Sequence, residues 1–214
     1  GKMNMAPLLH DEQILLATNW HQCDNQAAKS QPRRQDGGAV LALSMLSGEL
    51  LWRLPVTRCL TTDVHGLFVE NDVLVFATKN EDRPTNNVPG TGGNNVIVGL
   101  QLSSKEELWT YETDDLVWNF LPSSVGDGTI VFSTSCGAVH RINLHTGAML
   151  WKAGRLGSME GMSRFCSCAG GVLGPNGKFY AAYNDDYYNA SSLPKTEYAK
   201  LAAFEVSNGE RLWE

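Results

Sequence analysis

A thirteen-residue pattern recurs four times in one register, and it restricts the chain to a repeat architecture. The segments VLALSMLSGELLW (Val40 to Trp52), IVGLQLSSKEELW (Ile97 to Trp109), VHRINLHTGAMLW (Val139 to Trp151) and LAAFEVSNGERLW (Leu201 to Trp213) align on their tryptophan without gaps. Four residues before it stands Gly48, Gly147 or Gly209, and Lys105 in the second copy. Leu51, Leu108, Leu150 and Leu212 precede it directly, and the positions seven and nine before it are apolar in every copy.

Each copy reads as a β-hairpin. Its first half alternates with period two, which puts one set of side chains on a buried face. A short polar connection follows, and its glycine supplies the positive φ that a tight hairpin turn demands. Lys105 at that place predicts an altered or strained turn. The second half carries Leu-Trp into the sheet, with the leucine expected to be buried.

Upstream of each hairpin lies material for two more strands. The expected pairs are Ala6 to Leu9 with Gln13 to Asn19, Gly66 to Glu70 with Val73 to Thr78, Asn119 to Ser123 with Thr129 to Thr134, and Arg164 to Ser167 with Lys178 to Tyr183. Four antiparallel strands per unit, repeated every ~40–60 residues, define an all-β propeller blade. The units cover approximately 5–57, 62–113, 117–154 and 160–214, as one partial propeller domain.

Composition agrees with this reading. With 43% hydrophobic and 19% charged residues the chain is globular material, and 21 glycines favour turns over long helices. A net charge of −6 excludes a broad nucleic-acid surface, and no apolar run approaches the ~18 residues of a membrane span. Five cysteines (Cys23, Cys59, Cys136, Cys166, Cys168) show no zinc spacing, and Cys166 and Cys168 read as small hydrophobes sharing one strand face. The chain opens Gly1-Lys2-Met3-Asn4 without a signal-peptide pattern and stops within a strand pattern at Trp213-Glu214, so both ends are expected to lie inside a longer sequence.

The repeat resembles the pyrroloquinoline-quinone (PQQ) repeat of quinoprotein-dehydrogenase-like propellers, with the pattern Ala-x-Asp-x-x-Thr-Gly-x-x-x-Trp. Ala42 and Ala203 fill the Ala position, with Gly99 and Arg141 in the other copies. Thr146 fills the Thr position once, with Ser47, Ser104 and Asn208 elsewhere. The Asp position holds Ser44, Gln101, Asn143 and Glu205. The resemblance implies that Trp52, Trp109, Trp151 and Trp213 pack between neighbouring blades. It also implies that four blades belong to a larger propeller, of about eight. A four-blade stack lacking neighbours is expected to self-associate.

The resemblance raises PQQ with calcium as a cofactor, but nothing in the residues supplies it. Alcohol-oxidising quinoproteins carry adjacent cysteines, and Cys166-Ser167-Cys168 is not that motif. The acidic pairs Glu81-Asp82, Asp114-Asp115 and Asp185-Asp186 lack calcium-loop spacing and read as solvated loop charges. No catalytic set stands out: His10, His21, His65, His140 and His145 have no metal spacing, and His140 reads as a satisfied sheet residue. Trp118 and Phe120 in one innermost strand, or Arg164 in another, are the candidates for facing a central channel, a matter of geometry and not a site.

Insertions carry more information. With strands A to D running from axis to rim, the long connections fall between B and C: about Trp20 to Gly37, Lys79 to Asn95, and Asn184 to Tyr198. This loop-decorated face is the expected contact surface for a protein or small ligand. Asp185, Asp186, Tyr187 and Tyr188 form the candidate binding loop, where aromatics beside carboxylates suit sugar or peptide recognition. Asn189-Ala190-Ser191 fits a glycosylation sequon and leans toward an extracytoplasmic or secreted setting. The sequence thus offers two functions. One is a binding scaffold with no nucleic-acid or membrane-spanning role. The other is part of a quinoprotein oxidoreductase whose ligands lie in further blades.

Overall fold

The structure, a computed structural model, describes residues 7–19, 38–56, 66–78, 95–113, 117, 120–134, 137–154, 170–184 and 199–214. They form four antiparallel four-stranded sheets. The first holds β1 (Leu8–His10), β2 (Gln13–Asn19), β3 (Gly38–Ser44) and β4 (Leu50–Val56). The second holds β5 (Phe68–Glu70), β6 (Val73–Thr78), β7 (Val96–Gln101) and β8 (Glu107–Glu112). The third holds β9 (Ser123–Ser124), β10 (Thr129–Ser133), β11 (Ala138–Asn143) and β12 (Met149–Gly154), and the fourth β13 (Gly170–Leu173), β14 (Lys178–Asn184), β15 (Ala199–Glu205) and β16 (Arg211–Trp213). In every sheet the spatial order follows the chain, giving strands A, B, C and D.

Two innermost strands differ from expectation. In the third blade strand A begins only at Ser123 and pairs Ser124 with Ile130. In the fourth, strand A is Gly170–Leu173, while residues 164–167 lie outside the described residues. Gly170-Gly171 hid the strand from a search for apolar alternation. A Cβ on Gly171 would stand 2.2 Å from the Phe179 ring, so this strand is glycine-bearing because its neighbour's aromatic lies over it.

All four C–D turns share one geometry. The amide of Gly48, Lys105, Gly147 and Gly209 donates to the carbonyl of Ser44, Gln101, Asn143 and Glu205, four residues back. Their φ values are +73°, +66°, +68° and +77°, so Lys105 keeps the glycine conformation and carries its strain, of order 1 kcal/mol. The drifted Asp position is explained here. Ser44 Oγ accepts from the amides of Leu46 and Ser47, and Asn143 Oδ1 accepts from His145 and Thr146, as an aspartate would. Gln101 instead donates to Asp72 across the blade.

The leucine preceding each tryptophan is not buried. Each C–D ladder shifts register at the same place, pairing Ala42 with Trp52 but Leu43 with Leu50, and likewise in the other blades. Leu51, Leu108, Leu150 and Leu212 are the extra residues of these bulges and turn outward, at 52, 41, 48 and 39% exposure. Leu150→Ser is therefore expected to change unfolding free energy by less than about 0.5 kcal/mol, measured by urea titration.

Blades meet through three apolar layers, joining first to second, second to third, and third to fourth. Trp109 and Trp151 lock the last two. Trp109 Nε1 donates to the Leu144 carbonyl of the next blade at 2.9 Å, and Trp151 Nε1 to the Val206 carbonyl at 2.9 Å. Each ring lies on the next blade's turn glycine, where a Cβ would stand 2.7 Å from it. Only glycine fits both the φ and the indole. The first joint differs because Lys105 replaces that glycine. The ammonium sits 4.1 Å over the Trp52 ring and donates to the Leu102 carbonyl, the counterpart of Leu144 and Val206. Trp52 Nε1 turns back to Gln13 Oε1 of its own blade at 2.9 Å. A lysine thus takes over the donor role of an indole.

Candidate functional site at the B–C face

Every B–C connection is rooted at the same end of its sheet. The last rungs of the B–C ladders are Asn19 with Gly38, Thr78 with Val96, Ser133 with Val139, and Asn184 with Ala199. The long insertions rise from the first, second and fourth of these roots. Residues 20–37, 79–94 and 185–198 lie outside the described residues, and with them Asp185, Asp186, Tyr187, Tyr188 and Asn189.

What the structure does describe is the floor from which the loops rise, and it is polar though buried. Thr18, Thr78 and Thr134 each donate a hydroxyl to the carbonyl at or beside the start of strand C, on Ala39, Val96 and Ala138. Asn95, 1% exposed, donates to Glu112 Oε1 at 3.0 Å and to the Thr113 carbonyl at 3.1 Å, tying strand D to the loop root. Among the described residues its Oδ1 has no partner, nor has Ser133 Oγ. Residue 95 belongs to an insertion by sequence, yet it behaves as a buried anchor.

His140 and Tyr111 are the titratable pair at this end of the joint between the second and third blades. The Tyr111 hydroxyl lies 2.8 Å from His140 Nδ1, and the imidazole stacks on Phe132 with centroids 5.3 Å apart and planes at 4°. Burial pushes the His140 pKa down to about 4 and raises that of Tyr111. The ring is therefore neutral near pH 7, and the phenol keeps its proton. His140 Nε2 has no partner among the described residues. Among the described residues the sequence reading of a satisfied sheet histidine is met at one ring nitrogen, Nδ1. The pairing with Tyr111 joins residues in different blades, so spacing along the chain carries no sign of it.

The other sequence candidates fall elsewhere. Phe120, expected at the channel, is fully buried in the joint between second and third blades and packs edge-on against Phe132. Trp118, Arg164, His21, His65, the five cysteines and the three acidic pairs lie outside the described residues. His10 sits 3.2 Å from Asp11 in the first A–B hairpin, and His145 is exposed in a C–D turn. Arg141, in place of the repeat's alanine, is 8% exposed; it pairs with Asp127 and donates to the Val206 carbonyl of the fourth blade at 2.9 Å. It is a second fastener for the joint that Trp151 closes. Among the described residues no three His, Cys, Asp or Glu side chains converge on a metal position. The sequence has no adjacent cysteines. The described donor set does not fit a calcium–quinone cradle.

A stack of four-stranded blades with indoles locked on turn glycines defines a β-propeller of the PQQ-repeat class. A family model described as outer membrane protein assembly factor BamB matches residues 36–214, and the chain belongs to this PQQ-repeat family. No sequence among the curated proteins matches it. Among solved structures, BamB from Moraxella catarrhalis superposes with a TM-score of 0.59 at 15% identity, over 99% of this chain and 52% of that one. Quinohemoprotein alcohol dehydrogenase from Comamonas testosteroni gives 0.62 at 11% identity, over 99% of this chain and 34% of that one. The corresponding enzyme from Pseudomonas putida HK5 gives 0.62 at 11%, over 98% and 33%. The chain spans from about a third to about half of the length of these matched chains. At such identities the likeness is one of fold.

Proposed function

We propose that this chain is a binding scaffold whose B–C face contacts a protein partner. The observation that carries the reading is the placement of every long insertion at one end of the sheets, above a buried polar floor, while the C–D turns share one tight geometry. Rigid blades hold such loops at fixed separations, and loops on a rigid scaffold are where recognition residues concentrate. The family description, an assembly factor for outer membrane proteins, supports a protein partner and an extracytoplasmic setting. Within the face, Asp185, Asp186, Tyr187 and Tyr188 supply aromatic area and hydrogen-bonding groups suited to an extended peptide.

A direct test replaces residues 20–37, 79–94 and 185–198 by short glycine-containing turns and compares quantitative affinity capture from cognate extract with the unaltered protein. The captured set is expected to disappear while far-UV circular dichroism is retained. An unchanged captured set contradicts the assignment.

A second reading, part of a quinoprotein oxidoreductase, draws support from the dehydrogenase structures that share the fold. PQQ and calcium would there be held by residues beyond the described ones. Titration of the protein with PQQ and calcium, followed by quinone absorbance, separates the readings: the scaffold assignment predicts no bound quinone.

A further inference from the structure

The three joints between blades are not fastened alike. Across the second, Trp109 Nε1 donates to the Leu144 carbonyl at 2.9 Å, the Gly66 amide to the Phe120 carbonyl at 3.1 Å and Ser124 Oγ to Glu70 Oε1 at 2.7 Å, and Tyr111 meets His140 at 2.8 Å. These contacts reach from the innermost strands to the outermost, so they fix both the position and the angle of the two blades. Across the third joint, Trp151 Nε1 and the Arg141 guanidinium both donate to the Val206 carbonyl at 2.9 Å.

Between described residues no hydrogen bond crosses the first joint. Trp52 Nε1 is bonded to Gln13 Oε1 of its own blade at 2.9 Å, and the Leu102 carbonyl accepts from Lys105 of its own turn. What crosses is an apolar layer, drawn from Leu15, Val40 and Ala42 of one blade and Leu74, Val98 and Leu100 of the next, with the Lys105 ammonium 4.1 Å over the Trp52 ring. Both kinds of contact tolerate displacement. Apolar burial is non-directional. A cation–π contact holds anywhere within about 6 Å of the ring centroid, and the lysine stem is flexible enough to follow the ring. An N–H···O bond, by contrast, weakens steeply once donor and acceptor part or tilt.

We propose that the first joint is a sliding seam: the first blade shifts as a unit against a rigid body made of the second, third and fourth. Lys105 is the residue that makes the seam. Held at φ +66°, it occupies the place of Gly147 and Gly209 in the other joints, so Trp52 has no glycine to rest on and its N–H is turned away from the next blade. The consequence for the B–C face rests on the scaffold reading above. The loop root at Asn19 and Gly38 changes its distance from the roots at Thr78 and Val96 and at Asn184 and Ala199, while the latter two keep theirs. The fixed separations that rigid blades impose thus hold within the last three blades, and a protein partner is gripped between one adjustable root and two fixed ones.

Methyl relaxation dispersion by NMR reads motion of this kind, on the microsecond-to-millisecond scale. In the unaltered protein Val40, Leu74, Val98 and Leu100 of the first joint are expected to show exchange. Ile130, Ile142 and Leu144 of the second joint, and Val131, Val139 and Val206 of the third, are expected to give flat profiles. The third joint is the control for position, since it too borders an outer blade of the stack. Lys105→Gly relieves the positive-φ strain, gives Trp52 a seat and frees the Leu102 carbonyl for its N–H. Exchange at the first joint is then expected to be lost. Lys105→Met keeps a side chain in the seat and removes the charge, and is expected to enlarge the exchange. Flat profiles at the first joint of the unaltered protein, equal exchange at all three joints, or exchange unaffected by either substitution would overturn the proposal. The measurement needs no partner, so its failure leaves the scaffold assignment standing, and an unchanged captured set after loop replacement leaves the seam standing.

Discussion

Trp109→Ala is expected to lower the unfolding free energy by about 3–5 kcal/mol, the range for deleting a fully packed tryptophan. Its ring is 7% exposed and is covered on both sides: a Cβ on Gly99 of its own blade would stand 2.2 Å from it, and one on Gly147 of the next blade 2.7 Å. Removing it leaves a cavity between two blades and strips the Leu144 carbonyl of its donor. Trp52→Ala is expected to cost less, about 1–3 kcal/mol. Its indole N–H bonds within its own blade, and the Leu102 carbonyl of the second blade accepts instead from Lys105 of its own turn. Urea midpoints of the two variants, read at constant m-value, check the order. Equal losses at the two sites contradict the claim that the first joint is built differently.

Acidification from pH 6.5 to pH 4 is expected to remove about 3 kcal/mol of stability through His140 alone. The folded pKa is depressed from 6.5 to about 4 because the buried imidazolium is desolvated. Above pH 6.5 the ring is neutral in both states and its contribution is fully present. As pH falls, the unfolded chain takes up the proton first and is favoured by about 1.4 kcal/mol per pH unit, until the folded ring also protonates near pH 4. Asp72 and Asp127, with pKa values lowered chiefly by the hydroxyls of Ser103 and Thr129, act in a lower window. Their contributions are present above the ordinary value of 3.8 and are lost as pH falls through the lowered folded values. Urea titrations at pH 7, 6, 5 and 4.5 are expected to show a gentler pH slope for His140→Gln than for the unaltered protein. Parallel slopes would place the histidine in contact with water.

How much of this was legible in the sequence differs from element to element, for physical reasons. The outer strands of each blade are long, alternate cleanly and end on a fixed turn, so Val40 to Trp52 and its three counterparts announce themselves. The innermost strands are short, two to four residues, and in the fourth blade the glycine-bearing Gly170–Leu173 lacks the apolar alternation that a strand search relies on. The outward turn of Leu51, Leu108, Leu150 and Leu212 depends on a bulge, and period-two counting cannot see a one-residue register shift. Lys105 was visible as an exception to the glycine rule. That its ammonium stands over the Trp52 ring of the first blade and serves the Leu102 carbonyl, where an indole N–H serves the counterparts Leu144 and Val206, follows only from the packing of two blades. The same is true of the site. The loop positions between B and C strands were readable from spacing, whereas Asn95 as a buried anchor and the Tyr111–His140 contact require the folded neighbours.

The joint between blades is the element on which the rest depends, since it sets where the B–C loops stand. Hydrogen exchange of the tryptophan indole N–H groups, followed by NMR on ¹⁵N-tryptophan-labelled protein, tests it most directly. Trp109 and Trp151 are expected to exchange slowly, because each N–H is bonded to a carbonyl of the next blade. Gly147→Val is expected to accelerate Trp109 and leave Trp151 slower than Trp109. Rapid exchange of Trp109 and Trp151 in the unaltered protein, at the rate of a solvent-exposed indole, would contradict the blade-on-blade architecture.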